Sequence, residues 1–429
     1  MHILIYSYNY HPEPIGIAPL MTELAEGLVK RGHEVRVITG MPNYPQREIY
    51  DGYRGKLYLT EQKNGVTIAR SYLRIKSKPN LVDRLLLELS FVFTSLPQAF
   101  KGGRPDVILL TIPPLLGTLP ATIFGWLYNC PVVLNVQDIL PEAAIRIGLL
   151  KNKWMIRTLT ALEKFAYQTA HTISVIADGF GDNLVKKGVP VNKIVCIPNW
   201  VNLNFIRPLP KANNSWISNH QLNDKFVVLY SGNIALTQGL ETVIEAAVCL
   251  RNIKDIVFVI VGESRALQRL QEYCLLNGAD NVLLLPLQPR EKLPEMLAAS
   301  DVGLIVQKCN VISFNMPSKI PLLLASGRPI VGSVPGTGSA ARAIELSGGG
   351  IIVEPESPHA MAAAVHDLYT NPALGARLGN KGRQFAEENY SLEQALDRYE
   401  LLLSHIVTNR KSTMGIFPKL DSTKSVVDG

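Results

Sequence analysis

Phe226-Val227-Val228-Leu229-Tyr230-Ser231-Gly232-Asn233-Ile234-Ala235-Leu236-Thr237-Gln238-Gly239-Leu240 runs from an apolar segment into a polar loop bounded by glycines. An apolar run ending in turn residues reads as a strand buried on both faces, and a helix is expected near Leu240. A second block, Met316-Pro317-Ser318-Lys319 … Ala325-Ser326-Gly327-Arg328-Pro329, opens a helix that Gly327 and Pro329 close, ahead of a strand at 330–332. Two helix N-termini at the edge of one parallel sheet favour an anion, because free amides and dipoles point the same way. The two segments together predict a cradle for a diphosphate in the second half of the chain.

The same alternation extends in both directions. Upstream, apolar runs at 3–6, 35–39, 66–70, 107–111, 132–136, 172–175 and 194–197 predict strands. Helical patterns separate them, such as 20–31, where Leu20, Leu24, Leu28 and Val29 share a face. Downstream, strands are expected at 257–261, 282–285, 302–306 and 350–353, and 199–225 reads as a polar, proline-containing linker. The expected fold class is α/β: two doubly wound Rossmann-like domains facing each other across a cleft, residues 1–200 and 201–390. A helix at 392–407 is expected to cross back onto the first domain, and 408–429 reads as a disordered tail.

Composition narrows the function classes. Of 429 residues, 47% are hydrophobic and 18% charged, which fits a globular protein with large buried sheets. A net charge of +7 and a pI of about 9.0 fit phosphorylated substrates or an anionic membrane surface. No zinc-finger, helix-turn-helix or basic-aromatic motif points to nucleic acid. The 5 cysteines form no CxxC pair and the 8 histidines show no ligand spacing, so a reduced, cytoplasmic protein without metal or cofactor is expected. Met1-His2 leads directly into the first strand, so no signal peptide is expected. Residues 107–136 are 30 in a row without a charge, yet Pro113, Pro114, Pro120 and Pro131 break them into strand, loop, helix and strand. That pattern favours a buried β-α-β unit over a membrane span. Residues 81–100 stay open between a buried helix and an amphipathic helix on a membrane, with Lys76, Lys78 and Arg84 close by.

His11-Pro12-Glu13-Pro14-Ile15-Gly16, Arg31-Gly32-His33-Glu34-Val35 and Gln137-Asp138-Ile139-Leu140-Pro141-Glu142 stand in the first half. Pro198-Asn199-Trp200-Val201, Ser231-Gly232-Asn233, Gln238-Gly239, Val261-Gly262-Glu263, Pro286-Leu287-Gln288-Pro289 and Pro317-Ser318-Lys319 stand in the second. In this order and spacing the chain resembles the retaining GT-B glycosyltransferases of family four, over about residues 1 to 407. It looks most similar to the colanic-acid and related exopolysaccharide group. The resemblance implies that the first domain takes the acceptor and the second a nucleotide sugar.

Each motif has a plainer reading beside it. Gly16 lets backbone approach a ligand or simply makes a βα turn, and Ile17 stands where the family has a second glycine. Asp138 and Glu142 lie past the strand 132–136, spaced to share a helix face; they could polarise an acceptor hydroxyl, or Asp138 could cap a helix. His33 reads as architecture, and so does a lone His11. The family's arginine and lysine in the donor loop are replaced by Asn233 and Gln238, which bond phosphate oxygens without charge. Its two glutamates fall on Phe314 and Leu322. Lys319, at a helix start beside Pro317 and Ser318, remains as the cation for the diphosphate, against a solvated surface lysine. Gly262 and Glu263 follow a strand, where Glu263 binds hydroxyls or caps the next helix.

The expected function is retaining transfer of a sugar from a UDP- or GDP-linked donor to a growing, lipid-linked exopolysaccharide or cell-surface glycan. The expected place is cytoplasmic, peripheral on the inner face of the membrane. Two alternatives remain: a non-catalytic subunit of GT-B type that binds nucleotide sugar, and a GT-B epimerase or phosphorylase. The expected site comprises Asp138 and Glu142 as catalytic groups. Gly16, Gly232, Asn233, Gln238, Gly239, Gly262, Glu263, Pro317, Ser318 and Lys319 are expected to hold the donor.

Overall fold

A computed structural model describes residues 1–14, 16–77, 81–139, 141–142, 145, 150–234, 237–311 and 316–409. The chain divides into two compact units, residues 1–198 with 395 onward, and residues 199–394. The tail expected from 408 lies, beyond residue 409, outside the described residues, as do Ile15, Lys78, Leu140 and Phe314.

Unit 1 is built on eight strands: β1 (His2–Tyr6), β2 (Glu34–Gly40), β3 (Tyr58–Lys63), β4 (Val66–Ser71), β5 (Val107–Ile112), β6 (Val132–Val136), β7 (Thr172–Val175) and β8 (Ile194–Cys196). Their order is β3-β4-β2-β1-β5-β6-β7-β8, parallel except for the β3–β4 hairpin. Sequence reading missed β3, because Tyr-Leu-Thr-Glu-Gln-Lys is an edge strand with little buried surface. The turn joining it to β4, Asn64-Gly65 with both residues at positive φ, was the available signal. In contrast β5 is buried along its whole length, as an uncharged run in a covered parallel sheet must be. The prolines divide 107–136 as expected, into β5, a helix at Thr118–Leu127 and β6. Among the described residues no helix is long and apolar enough to cross a membrane.

The helix Leu392–Thr408 enters unit 1 at Ala395. Gly27 leaves room for Leu396, and Asn135 donates to the Tyr399 hydroxyl at 2.8 Å. Glu400 meets Arg31 at 2.8 Å and His33 at 3.1 Å. His33 is therefore architectural, tying the helix to the turn before β2.

Unit 2 carries β9 (Phe226–Ser231), β10 (Ile256–Gly262), β11 (Val282–Pro286), β12 (Val302–Val306), β13 (Ile330–Ser333) and β14 (Gly350–Val353), all parallel, in the order β11-β10-β9-β12-β13-β14. Alternate residues of β9 feed separate cores, Val227 and Leu229 one, Val228 and Tyr230 the other, as the two-residue period of a strand requires. In each unit the order of connection reverses once, between β1 and β5 and between β9 and β12. Such a reversal parts the loops at the carboxyl edge and opens a crevice, so these two places are where ligands bind in α/β sheets.

Candidate active site

The reversal in unit 2 brings the loop after β9 and the loop after β12 side by side. Gly232 follows β9 at φ +129°, a region that disfavours a side chain, and a Cβ there would lie 2.7 Å from Lys319 Cε. Lys319 opens the helix Lys319–Ala325 and sets its ammonium 3.6 Å from the centre of the Tyr230 ring. The Tyr230 hydroxyl donates to the Asn233 carbonyl at 2.7 Å, so one buried tyrosine holds both the loop and the lysine. Lys319 is half-buried and has no carboxylate partner among the described residues. Desolvation lowers its pKa to about 7. A cation kept without a counter-ion against an aromatic face is poised for an anion from solution.

Lys308, two residues past β12, is a second cation that sequence reading missed. Its Cγ and Cε come within 3.0 and 3.2 Å of a Cβ placed on Gly239, and its backbone N–H donates to the Thr237 carbonyl at 2.9 Å. The signal was positional: a lysine at the carboxyl end of a strand beside the reversal. Gln238, next to Gly239, is half-buried in the same loop.

Other expected donor residues take different roles. Gly262 makes room for the Ile234 side chain, which supports the loop from behind. Glu263 begins the helix Ser264–Asn277 without a side-chain cap and is exposed, so the capping alternative does not hold for its carboxylate. Ser318 likewise forms no side-chain cap, and the Pro317 carbonyl accepts the Ile320 N–H at 3.1 Å. The helix after the loop, Glu241–Cys249, opens on an acidic residue, paired with Arg269 at 3.0 Å. With only 7 residues in the Lys319 helix, the two dipoles contribute less than expected from sequence, and side-chain cations more.

In unit 1 Gly16 precedes the helix Ile17–Lys30 at φ +73° with open space around it, so backbone conformation and not crowding explains the glycine. Asp138 follows β6 and is exposed, accepting the Ile139 N–H at 2.8 Å; nearby protein mass raises its pKa, an effect its exposure to water limits. Glu142 is engaged by Asn183 at 2.9 Å and Lys187 at 3.3 Å. That pairing gives Glu142 a structural part; residues 143–144, needed to follow a shared helix face, lie outside the description.

Among the carboxyl groups at the β1/β5 reversal, the one shifted furthest is another. Burial pushes the Glu88 carboxyl up to about 7, against a bond from the Leu116 N–H. Glu88 and buried Glu13 both act on Tyr8, just past β1. Glu13 accepts N–H bonds from Asn43 at 2.8 Å and Tyr44 at 2.9 Å, and these fasten the loop. Among the described residues no group of three or more His, Cys, Asp and Glu could hold a metal ion. An open hollow of about 650 Å³ near Lys211, Asp255 and Asp301 lies at the amino edge of the second sheet, the wrong edge for a ligand site in this fold.

Two such sheets, each with one reversal, and this cradle on the second, have the layout of the GT-B fold. Residues 16–200 match the "Glycosyl transferase 4-like domain" family and residues 213–385 the "Glycosyl transferases group 1" family. The chain is 31% identical over 408 residues to WcaI of Escherichia coli (strain K12), named for colanic acid biosynthesis glycosyl transfer, covering 93% of this chain and 98% of that one. The chain belongs to the family-four GT-B glycosyltransferases. Solved structures share the fold: sucrose-phosphate synthase from Thermosynechococcus elongatus (TM-score 0.72, 16% identity, 95% of this chain and 99% of that one) and Anabaena Alr3699/HepE with UDP-glucose (TM-score 0.69, 16% identity, 94% and 99%).

Proposed function

We propose that this glycosyltransferase moves a sugar, with retention of anomeric configuration, from a UDP- or GDP-linked donor to a growing lipid-linked glycan of exopolysaccharide or cell-surface type. Unit 2 takes the donor and unit 1 the acceptor. The observation that supports this most is Lys319, an ammonium with no carboxylate partner among the described residues, set against Gly232 and Tyr230 at the reversal of the second sheet. When the bond between the sugar's anomeric carbon and the diphosphate breaks, its electron pair leaves with the diphosphate. Positive character develops on the sugar. Lys319 and Lys308 neutralise the departing charge, Asn233 and Gln238 bond its oxygens, and Glu263 is available to donor hydroxyls. Of the solved relatives, Anabaena HepE is seen with UDP and UDP-glucose, which supports a nucleotide sugar as donor.

In unit 1 Glu88, with its pKa near neutrality, is suited to take a proton from an acceptor hydroxyl, and Asp138 is a second carboxylate at the same sheet edge. The reading places the protein in the cytoplasm, at the inner face of the membrane where a lipid-linked acceptor resides. A binding screen of UDP-, GDP- and dTDP-sugars, then product analysis with membranes, tests it. Saturable binding of one donor and an α- or β-product matching that donor's configuration are expected. An inverted product, or epimerised donor without transfer, contradicts it.

A further inference from the structure

We infer that unit 1 docks on an anionic phospholipid bilayer through the outer face of three neighbouring helices, Leu81–Ala99, Thr118–Leu127 and Lys153–Thr169. The helices connect β4 to β5, β5 to β6 and β6 to β7, steps that all advance in one direction along the sheet. Right-handed crossovers put all three on one face. Contacts join them edge to edge. Phe100, following the first helix, packs against Phe124 of the second at 5.7 Å between ring centres, and Thr122 of the second donates to Thr169 of the third at 3.3 Å.

The outer face of this layer is apolar where a soluble surface would be charged. The middle helix has no charged residue, and while Ala121 and Phe124 face the core, Ile123 (50% exposed), Trp126 (83%) and Leu127 face water. On the first helix Phe93 is 66% exposed, one turn from Pro97 and two from Phe100, a stripe at helical spacing. The third adds Trp154 (79%) and Phe165. Apolar surface of this extent on a water-soluble face marks an interaction site.

Charge identifies the occupant. Beside the Trp154–Phe165 stripe run Lys153, Arg157 and Lys164, all exposed and none with a carboxylate partner among the described residues. The only acid of that helix, Glu163, is buried and held by Lys187 at 2.7 Å. Aromatic side chains above a row of cations fit the boundary between acyl chains and anionic headgroups. The basic excess of the whole chain, +7, acts in the same direction. The helix 81–99, weighed above as a membrane helix by itself, is anchored in the core by Phe91, Val92 and Ala99 and contributes only its outer stripe.

The surface rests on the proposed function for its purpose alone, since vesicle binding requires neither donor nor transfer. The test uses the full chain with phosphatidylcholine vesicles, with and without phosphatidylglycerol, followed by sedimentation and tryptophan emission. Of the 4 tryptophans, Trp200 and Trp216 are buried, so a change in emission reports Trp126 and Trp154. A blue shift and co-sedimentation that need phosphatidylglycerol are expected. Trp126→Ser with Ile123→Ser, and separately Lys153→Glu with Arg157→Glu, each weaken binding by about tenfold or more. Both variants keep the wild-type melting temperature, because the altered side chains face water. Binding equal in both vesicles, binding untouched by the variants, or a Trp126-dependent dimer that ignores vesicles would each overturn the proposal, the last in favour of a second copy.

Discussion

The Lys319 ammonium stands 3.6 Å from the centre of the Tyr230 ring, and the hydroxyl of the same tyrosine bonds the Asn233 carbonyl. One side chain thus positions both the cation and the neutral loop of the proposed donor site. Tyr230→Phe keeps the ring and loses the bond to Asn233, and should cost about 1 kcal/mol of stability with a modest rise in donor KM. Tyr230→Leu also removes the aromatic face, worth roughly another 1 kcal/mol, and should lower donor affinity further. Denaturant melts and donor titrations of the pair separate the two contributions.

Because burial lowers the Lys319 pKa to about 7, donor binding should take up a proton. A bound diphosphate raises the pKa, so affinity is highest below about pH 7 and falls as pH rises through it. Calorimetry in buffers of different ionisation enthalpy should detect that proton near neutrality. The stability of the donor-free protein follows the opposite sign. The charged lysine is disfavoured in the folded state, so Lys319→Met should gain most over wild type below about pH 7, and the gain should fade towards the lysine's unfolded value. Its partial exposure keeps this to about 1 kcal/mol.

Gly232→Ala would set a Cβ 2.7 Å from Lys319 Cε and impose a side chain on a backbone at φ +129°. The lysine must move or the loop must rearrange. Donor turnover should fall at least about tenfold while the fold persists, with a stability loss of about 1–2 kcal/mol. Steady-state kinetics and a thermal melt on the same preparation check both halves.

Glu88 carries the opposite charge logic. Burial raises its pKa to about 7, so its ionised form burdens the folded state increasingly as pH rises from the unfolded carboxyl value through 7. Glu88→Gln should therefore be more stable than wild type near pH 8, by about 1–2 kcal/mol, and no more stable near pH 4. If Glu88 takes the acceptor's proton, the same variant loses the rise of transfer rate through about pH 7.

The sheets were legible because their strands are buried on both faces, and continuous apolar runs such as 107–112 and 226–230 leave no other reading. The edge strand β3 lacked that signature and was passed over. Within the candidate site, the meeting of Gly232 and Lys319 was legible because both lie in segments expected at one edge of one sheet. Lys308 and Glu88 were not, since their significance depends on which loops a reversal of strand order brings together. The shortness of the helix Lys319–Ala325 and the acid in the first turn of Glu241–Cys249 were not legible either, since both depend on where the folded helices begin and end.

In the proposed reaction Lys319 carries the charge of the departing diphosphate. The most direct test of this role is donor-sugar transfer by purified Lys319→Ala beside wild type, with circular dichroism to confirm the fold. A fall in turnover of about a hundredfold in a folded protein is the predicted result. Unchanged turnover in that folded variant would contradict the account.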